Sequence, residues 1–157
     1  MINLDFKLAE NFSIREVVEW PNRINMPVKD RAYAIRLATD NLTFGVLIEC
    51  GMVAGHLQSV RNAVNAAFPQ YNNRIGFIVT SWFRPVKWEL HRKRSGNSQH
   101  TIGNAIDFTV TSNIIGADRE RIWKWLSDYL GENWPGGVGR YRTFYHVDLG
   151  SRRSWAG

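Results

Sequence analysis

At 157 residues, 44% of them apolar and seven of them tryptophan, the chain is long and hydrophobic enough to bury a core as one domain, which excludes a disordered or low-complexity polypeptide. Its single cysteine, Cys50, excludes an internal disulfide and a cysteine-rich zinc site, so any bound metal must rest on histidine and carboxylate. The net charge of +6 favours an anionic partner, whether nucleic acid, an anionic cell wall or an acidic membrane surface.

The basic residues gather in Arg84, Lys87, His91, Arg92, Lys93 and Arg94 and again in Arg140, Arg142, Arg152 and Arg153. A solvated basic face accounts for them as well as a binding patch does. They fall in loops, and no helix-turn-helix, zinc-finger or RNP-like pattern accompanies them, so nucleic acid is not the expected partner. No apolar run approaches a membrane span, and residues 1–7 lack the charged region and apolar stretch of a secretory signal. The expectation is a soluble protein made in the cytosol, with no integral membrane segment.

In chain order, Ser13-Ile14-Arg15-Glu16 has the spacing of a capping box, with Phe12 and Val17 placed as a hydrophobic staple. A short helix over Ile14–Glu19 follows, ended by Pro21. After Pro27, residues 30–38 predict another helical turn or two. From Asn41 to about Phe68, Leu42, Val46, Leu47, Val53, Leu57, Val60, Val64 and Ala67 recur at three- and four-residue steps, the signature of one buried helical face. Gly51 and Gly55 are expected to divide this stretch into two helices, and His56 within it is assigned no role.

Residues 69–74 read as a loop and Ile75–Trp82 as a buried strand rich in β-branched and aromatic residues. This strand delivers Arg84 just past its end, where a guanidinium can clamp a substrate carboxylate or stand as an ordinary surface arginine. Residues 86–99 show no clear period and read as a surface loop that walls a groove, with Glu89 and His91 as a solvated pair. Residues 104–110 alternate, which puts Asp107 on the polar face of a strand. A helix is predicted over 117–130, with Asp118 and Glu120 in its first turn, Trp123 and Trp125 as packing residues and Gly131 as its stop. Past Pro135-Gly136-Gly137, residues 138–141 and 144–149 read as a hairpin in which His146 and Asp148 share a face.

Ser98-Gln99-His100-Thr101-Ile102-Gly103-Asn104-Ala105-Ile106-Asp107, read with His146, supplies two imidazoles and one carboxylate. Such a set holds a zinc-like cation without saturating it, leaving a position for the water that the metal acidifies. The seven-residue step from His100 to Asp107 is too long for a pair on one helix; it suits a loop-to-strand turn, with Gly103 at the bend.

The pattern SxHxxGxAxD over residues 98–107, followed by His146-x-Asp148, resembles the signature of the zinc D-alanyl-D-alanine carboxypeptidase family, whose fold is shared with the Hedgehog signalling domain. The resemblance covers roughly residues 11–150 and also takes in Asn11-Phe12-Ser13-x-x-Glu16, Val60-Arg61 and Thr80-Ser81-Trp82-Phe83-Arg84. It implies an α+β domain with a small antiparallel sheet flanked by helices. It also implies a zinc ion on His100, Asp107 and His146, a substrate- or oxyanion-contacting Arg84, and peptidoglycan stem peptides as substrate. Ser98 and Gln99, in the same motif, are expected to contact that substrate.

One departure bears on mechanism. Relatives place an acid or histidine two or three residues before the last zinc ligand as general base, whereas this chain has Phe144 and Thr143 there. Asp148 is then the candidate base, with an orienting carboxylate behind a ligand imidazole as its other reading. The expected activity is that of a zinc metallopeptidase, a D,D-carboxypeptidase or a peptidoglycan endopeptidase, acting at the bacterial wall as a phage endolysin or virion lysin. A non-catalytic wall-binding module on the same fold is the alternative.

Overall fold

In the computed structural model, which describes residues 2–111 and 113–157, the chain begins with a two-stranded pairing of β1 (Lys7–Ala9) and β2 (Phe12–Ser13). Helix α1 (Ile14–Glu19) starts where its sequence predicts: the Glu16 carboxylate accepts from the Ser13 backbone N–H at 2.7 Å and from its hydroxyl at 3.0 Å. Pro21 follows in a 3₁₀ turn, Trp20–Arg23.

Helix α2 (Val28–Asp40) is longer than the expected turn or two, because Pro27 stands at its N-cap with φ preset near the helical value. Helix α3 (Phe44–Ala67) is continuous, correcting the expected division at Gly51 and Gly55. Two interior glycines cost about 1 kcal/mol each. That penalty is outweighed by the fully buried face of Cys50, Val53, Ala54, Leu57 and Val64.

The central sheet has the order β3-β4-β6-β5-β7, built from β3 (Phe77–Ser81), β4 (Ala105–Val110), β5 (Gly137–Arg140), β6 (Tyr145–Asp148) and β7 (Arg153–Ala156). The architecture is α+β, as expected, but the sheet is not wholly antiparallel. Three pairings are antiparallel, and β7, which the sequence pattern did not reveal, pairs parallel to β5.

Alternation along the strands sends Ile106, Phe108, Tyr145, Val147 and Val138 to a face covered by α3 and by α5 (Gly116–Asn133). Helix α5 runs past Gly131, which is not its stop. A Cβ at Gly131 would lie 2.6 Å from the Arg140 guanidinium, so glycine here serves close packing between α5 and β5. Trp123 packs at a tilt against Tyr145 and Trp125 stacks on Tyr129, both in packing roles.

Residues 86–99 are not a plain loop. Helix α4 (Val86–His91) forms at their start and buries Trp88 against Trp20. Glu89, expected in solvent, is buried at 2% exposure, whereas His91 remains exposed at the edge of Tyr33 and Trp88. No single helix among the described residues is long and apolar enough to cross a membrane.

Candidate metal centre

The polar face of the sheet carries a row across all five strands, because each strand register aligns one residue with the next: Ser81, Asp107, His146, Gly139 and Trp155. Asp107 and His146 are direct cross-strand partners, close enough to share one ligand. His100 reaches them from a 3₁₀ turn, Gln99–Ile102, that leads into β4.

That turn is held at both ends. The Ser98 hydroxyl accepts from the His100 backbone N–H at 3.3 Å, and Gly103 closes the turn at φ 84°, in the left-handed region. A Cβ on Gly103 would lie 2.7 Å from the Cys50 sulfur, so the turn rests directly on α3. The Arg84 N–H donates to the His100 carbonyl at 3.0 Å, tying the turn to the end of β3.

Three atoms converge: His100 Nε2, His146 Nδ1 and Asp107 Oδ1, separated by 3.2, 2.8 and 3.2 Å. Ligands about 2.05 Å from a tetrahedral ion stand roughly 3.3 Å apart, so the spacing is close to that of a metal-binding set. The outer nitrogens are consistent with this. His100 Nδ1 lies 2.7 Å from the Trp82 carbonyl and His146 Nε2 lies 2.9 Å from Asp148 Oδ2, so each outer nitrogen donates its proton. In those tautomers two imidazole lone pairs and a carboxylate oxygen face one another, an arrangement that a bound cation relieves.

Burial disfavours the charged form of His146, but hydrogen bonds to Asp107 and Asp148 outweigh it and raise its pKa. Burial lowers the pKa of His100, against the pull of Asp107. For Asp107 the burial cost is exceeded by both imidazoles, and its carboxylate is held far below the ordinary range.

Asp148 stands on the far side of the His146 ring from this cluster. Fully buried, it receives Arg153 through both carboxylate oxygens at 2.7 and 3.1 Å and the Gly150 N–H at 2.8 Å. Burial opposes its ionisation, yet the bonds from His146, Arg153 and Gly150 depress its pKa to about 2. The carboxylate meets the outer nitrogen of His146, whereas the three converging atoms lie at the inner one. Trp155 completes this side, with its ring 5.3 Å from that of His146 and the Arg153 guanidinium over it at 5.1 Å.

Arg84 lies toward β3. Its Nε is 3.1 Å from Glu89 Oε1 and its Nη1 is 3.6 Å from Asp107 Oδ2 and 3.3 Å from Ser81 Oγ. Arg94 also donates to Glu89 at 3.0 Å. Burial lowers the Arg84 pKa, and the two carboxylates oppose that shift. Arg84 and Asp107 line a cavity of about 380 Å³ with Thr80, Trp88, Arg92 and Phe144. Asp107 is the only carboxylate on its wall among the described residues.

Ser98 and Gln99 lie away from Arg84. With His146, Arg153 and Trp155 they line a second cavity of about 480 Å³. Besides capping the turn, this pair secures the entry to β4: Gln99 Oε1 accepts from Asn104 Nδ2 at 3.1 Å.

Sequence reasoning missed Arg153, Trp155 and the buried state of Glu89. The first two sit on a strand of four residues, too short for alternation to stand out. The one usable signal was Gly139, a strand residue without a side chain, across which the Trp155 ring lies.

Fold and site together define an α+β domain carrying a buried His₂Asp cluster suited to a metal ion. No family model matches the chain, and the searches of curated proteins and solved structures match none to it.

Proposed function

We propose that this chain is a zinc-dependent peptidase that hydrolyses a peptide bond in bacterial peptidoglycan stem peptides. The observation that carries the reading is the convergence of His100, Asp107 and His146 donor atoms beside a cavity that also holds a guanidinium. Two imidazoles and a carboxylate suit zinc in a tetrahedral site with one position left for water or substrate. The resemblance of residues 98–107 and 146–148 to the zinc D-alanyl-D-alanine carboxypeptidase signature points the same way, and with it to the Hedgehog-type fold.

When bound, zinc acidifies a water and polarises the scissile carbonyl. The chain's own groups do the rest. Trp82 O and Asp148 hold the two imidazoles in the tautomers that present lone pairs. Arg84, set by Glu89 and Asp107, is placed to stabilise negative charge developing on the carbonyl oxygen. Ser98 caps the His100 turn, and Ser98 and Gln99 line the second cavity, where the proposal has them contact substrate. The net positive charge draws the protein to an anionic wall, the setting of a phage endolysin or virion lysin.

One observation favours a second reading, a non-catalytic wall-binding module. Among the described residues no carboxylate other than Asp107 lines the cavity beside the cluster, and Thr143 and Phe144 stand where relatives carry a base. Metal analysis combined with mass spectrometry of fragments released from purified peptidoglycan separates the two. The peptidase reading expects one zinc per chain and new peptide termini. Protein with no stoichiometric zinc, and with neither stability nor turnover changed by added zinc, overturns it.

A further inference from the structure

The two cavities flanking the cluster differ in charge. Arg84, Arg92 and Arg94 stand on the wall of the one toward β3. The other, of about 480 Å³, has no carboxylate on its wall among the described residues, and apart from His146 its only ionisable side chain is Arg153. That guanidinium is already bound through both oxygens of Asp148. What remains to face a ligand there is neutral.

The neutral groups on this wall each have hydrogen-bonding capacity to spare. Ser98 Oγ accepts from the His100 N–H, which leaves its own proton to donate. Gln99 Oε1 accepts from Asn104 Nδ2, which leaves the Gln99 amide nitrogen to donate. Thr101 donates its hydroxyl proton to the Ser98 carbonyl at 2.6 Å, which leaves its oxygen to accept. The Asn97 amide offers a donor and an acceptor together.

Trp155 gives the same cavity an aromatic wall. Its Nε1 donates to the Tyr141 hydroxyl at 3.0 Å, which fixes the ring's orientation. A Cβ on Gly139 would come within 2.7 Å of two ring carbons, so glycine is what lets the indole lie against β5. Gly137 does the same for Arg153, since a Cβ there would lie 2.7 Å from its Nη1. The two strand glycines thus form a low floor on which β7 lays an indole beside a neutralised guanidinium, 5.1 Å from the ring centre. The indole is only half-buried.

A fixed aromatic surface beside neutral donors and acceptors is the chemistry that recognises a sugar ring. A pyranose carries C–H bonds on its face and hydroxyls around its rim, so the face lies on an indole while the rim exchanges hydrogen bonds with amides and hydroxyls. An anion would meet no unpaired cation on this wall, and a wholly apolar ligand would leave four polar side chains without partners.

We infer that this cavity is a subsite for a neutral N-acetylated sugar, the glycan portion of the wall polymer, and that the protein takes its stem peptide still attached to the glycan. This rests on the peptidase reading given above. The wall sugars suit the neutral lining because the carboxyl that joins sugar to peptide is an amide in the polymer and carries no charge. The acetamido group pairs with the Asn97 and Gln99 amides. His146, on the wall of the same cavity, sets the sugar directly beside the cluster.

The test follows the side-chain N–H resonances of the isotope-labelled, zinc-loaded full chain by NMR, titrated with chitotetraose, a neutral oligomer of N-acetylglucosamine, and separately with the free stem tetrapeptide. Chitotetraose should shift the Trp155 indole and Gln99 amide signals saturably, with a Kd on the order of 1 mM. Trp155→Ala should weaken that binding about tenfold or more, and Trp155→Phe, which keeps a flat ring, should hold it within a few-fold. Asn97→Ala, at an exposed position, should weaken it severalfold with the fold intact. In turnover, a stem peptide joined to its disaccharide should exceed the same peptide freed of sugar by about tenfold or more in kcat/KM. No shift with chitotetraose, a shift with the tetrapeptide alone, or equal turnover of the two substrates overturns the inference while leaving a peptidase. Sugar binding with hydrolysis of neither substrate overturns the peptidase reading and leaves the sugar site standing.

Discussion

The two histidines of the cluster differ one step out from its converging atoms. His100 is fixed by main chain: its outer nitrogen meets the Trp82 carbonyl, and its turn is pinned between β3 and α3. His146 is fixed by side chains, through Asp148 to Arg153. The contrast extends to charge, since burial lowers the pKa of His100 whereas hydrogen bonds to two carboxylates raise that of His146. A backbone anchor cannot be removed by mutation, so the adjustable half of this centre is the β6–β7 side.

The largest effects erase the contrast. On the proposed peptidase reading, His100→Ala, Asp107→Ala and His146→Ala should each abolish wall hydrolysis and leave less than stoichiometric zinc on elemental analysis. A variant that keeps both metal and turnover removes that residue from the ligand set.

One step out, the asymmetry itself is tested. Arg153→Ala should weaken zinc binding by about 10- to 100-fold, because Asp148 loses the partner that aims it at His146. Competition with a chromophoric chelator measures this. At saturating zinc the variant should regain most of its turnover, as should Asp148→Asn; a lasting loss of rate in the latter would return Asp148 to the chemistry.

Smaller still is the acid limb of stability. Asp148 has a depressed pKa, about 2 against an ordinary 3.8, so its contribution is present above roughly pH 4 and is lost as pH falls through about 2. The stake is about 2 kcal/mol. Denaturant unfolding of the metal-free protein across this range should therefore show a shallower acid loss in Asp148→Asn than in the wild type.

The smallest effect separates scaffold from relay. Gly55 lies exposed in α3, and a methyl group added there would meet nothing within 4 Å. Gly55→Ala should stabilise by about 0.5–1 kcal/mol, a rise of a few degrees in Tm by calorimetry. Zinc affinity should not change, because the relay to His146 does not pass through α3.

Much of this was legible in residue order. The Ser13 cap, the buried face of α3, Asp107 on the polar face of β4 and the shared face of His146 and Asp148 all follow from local period. Gly103 announced the bend that frees His100. Less legible were the extent of α2, the continuity of α3 and the course of α5 through Gly131. In each case burial or close packing outweighed a local breaker, and the strength of burial is set by distant partners.

Residue types and their 3.6- and 2-residue periods alone determined that two imidazoles and a carboxylate would stand on turns and strand faces. Only the tertiary structure decided that His100 and His146, 46 positions apart, meet within 3.2 Å. It also decided that Asp148 turns to Arg153, that Glu89 is buried with two arginines, and that a parallel β7 opens a second cavity beside the centre. The reason is physical: periodicity records which face a residue takes, whereas strand register and charge pairing between distant segments decide what it faces.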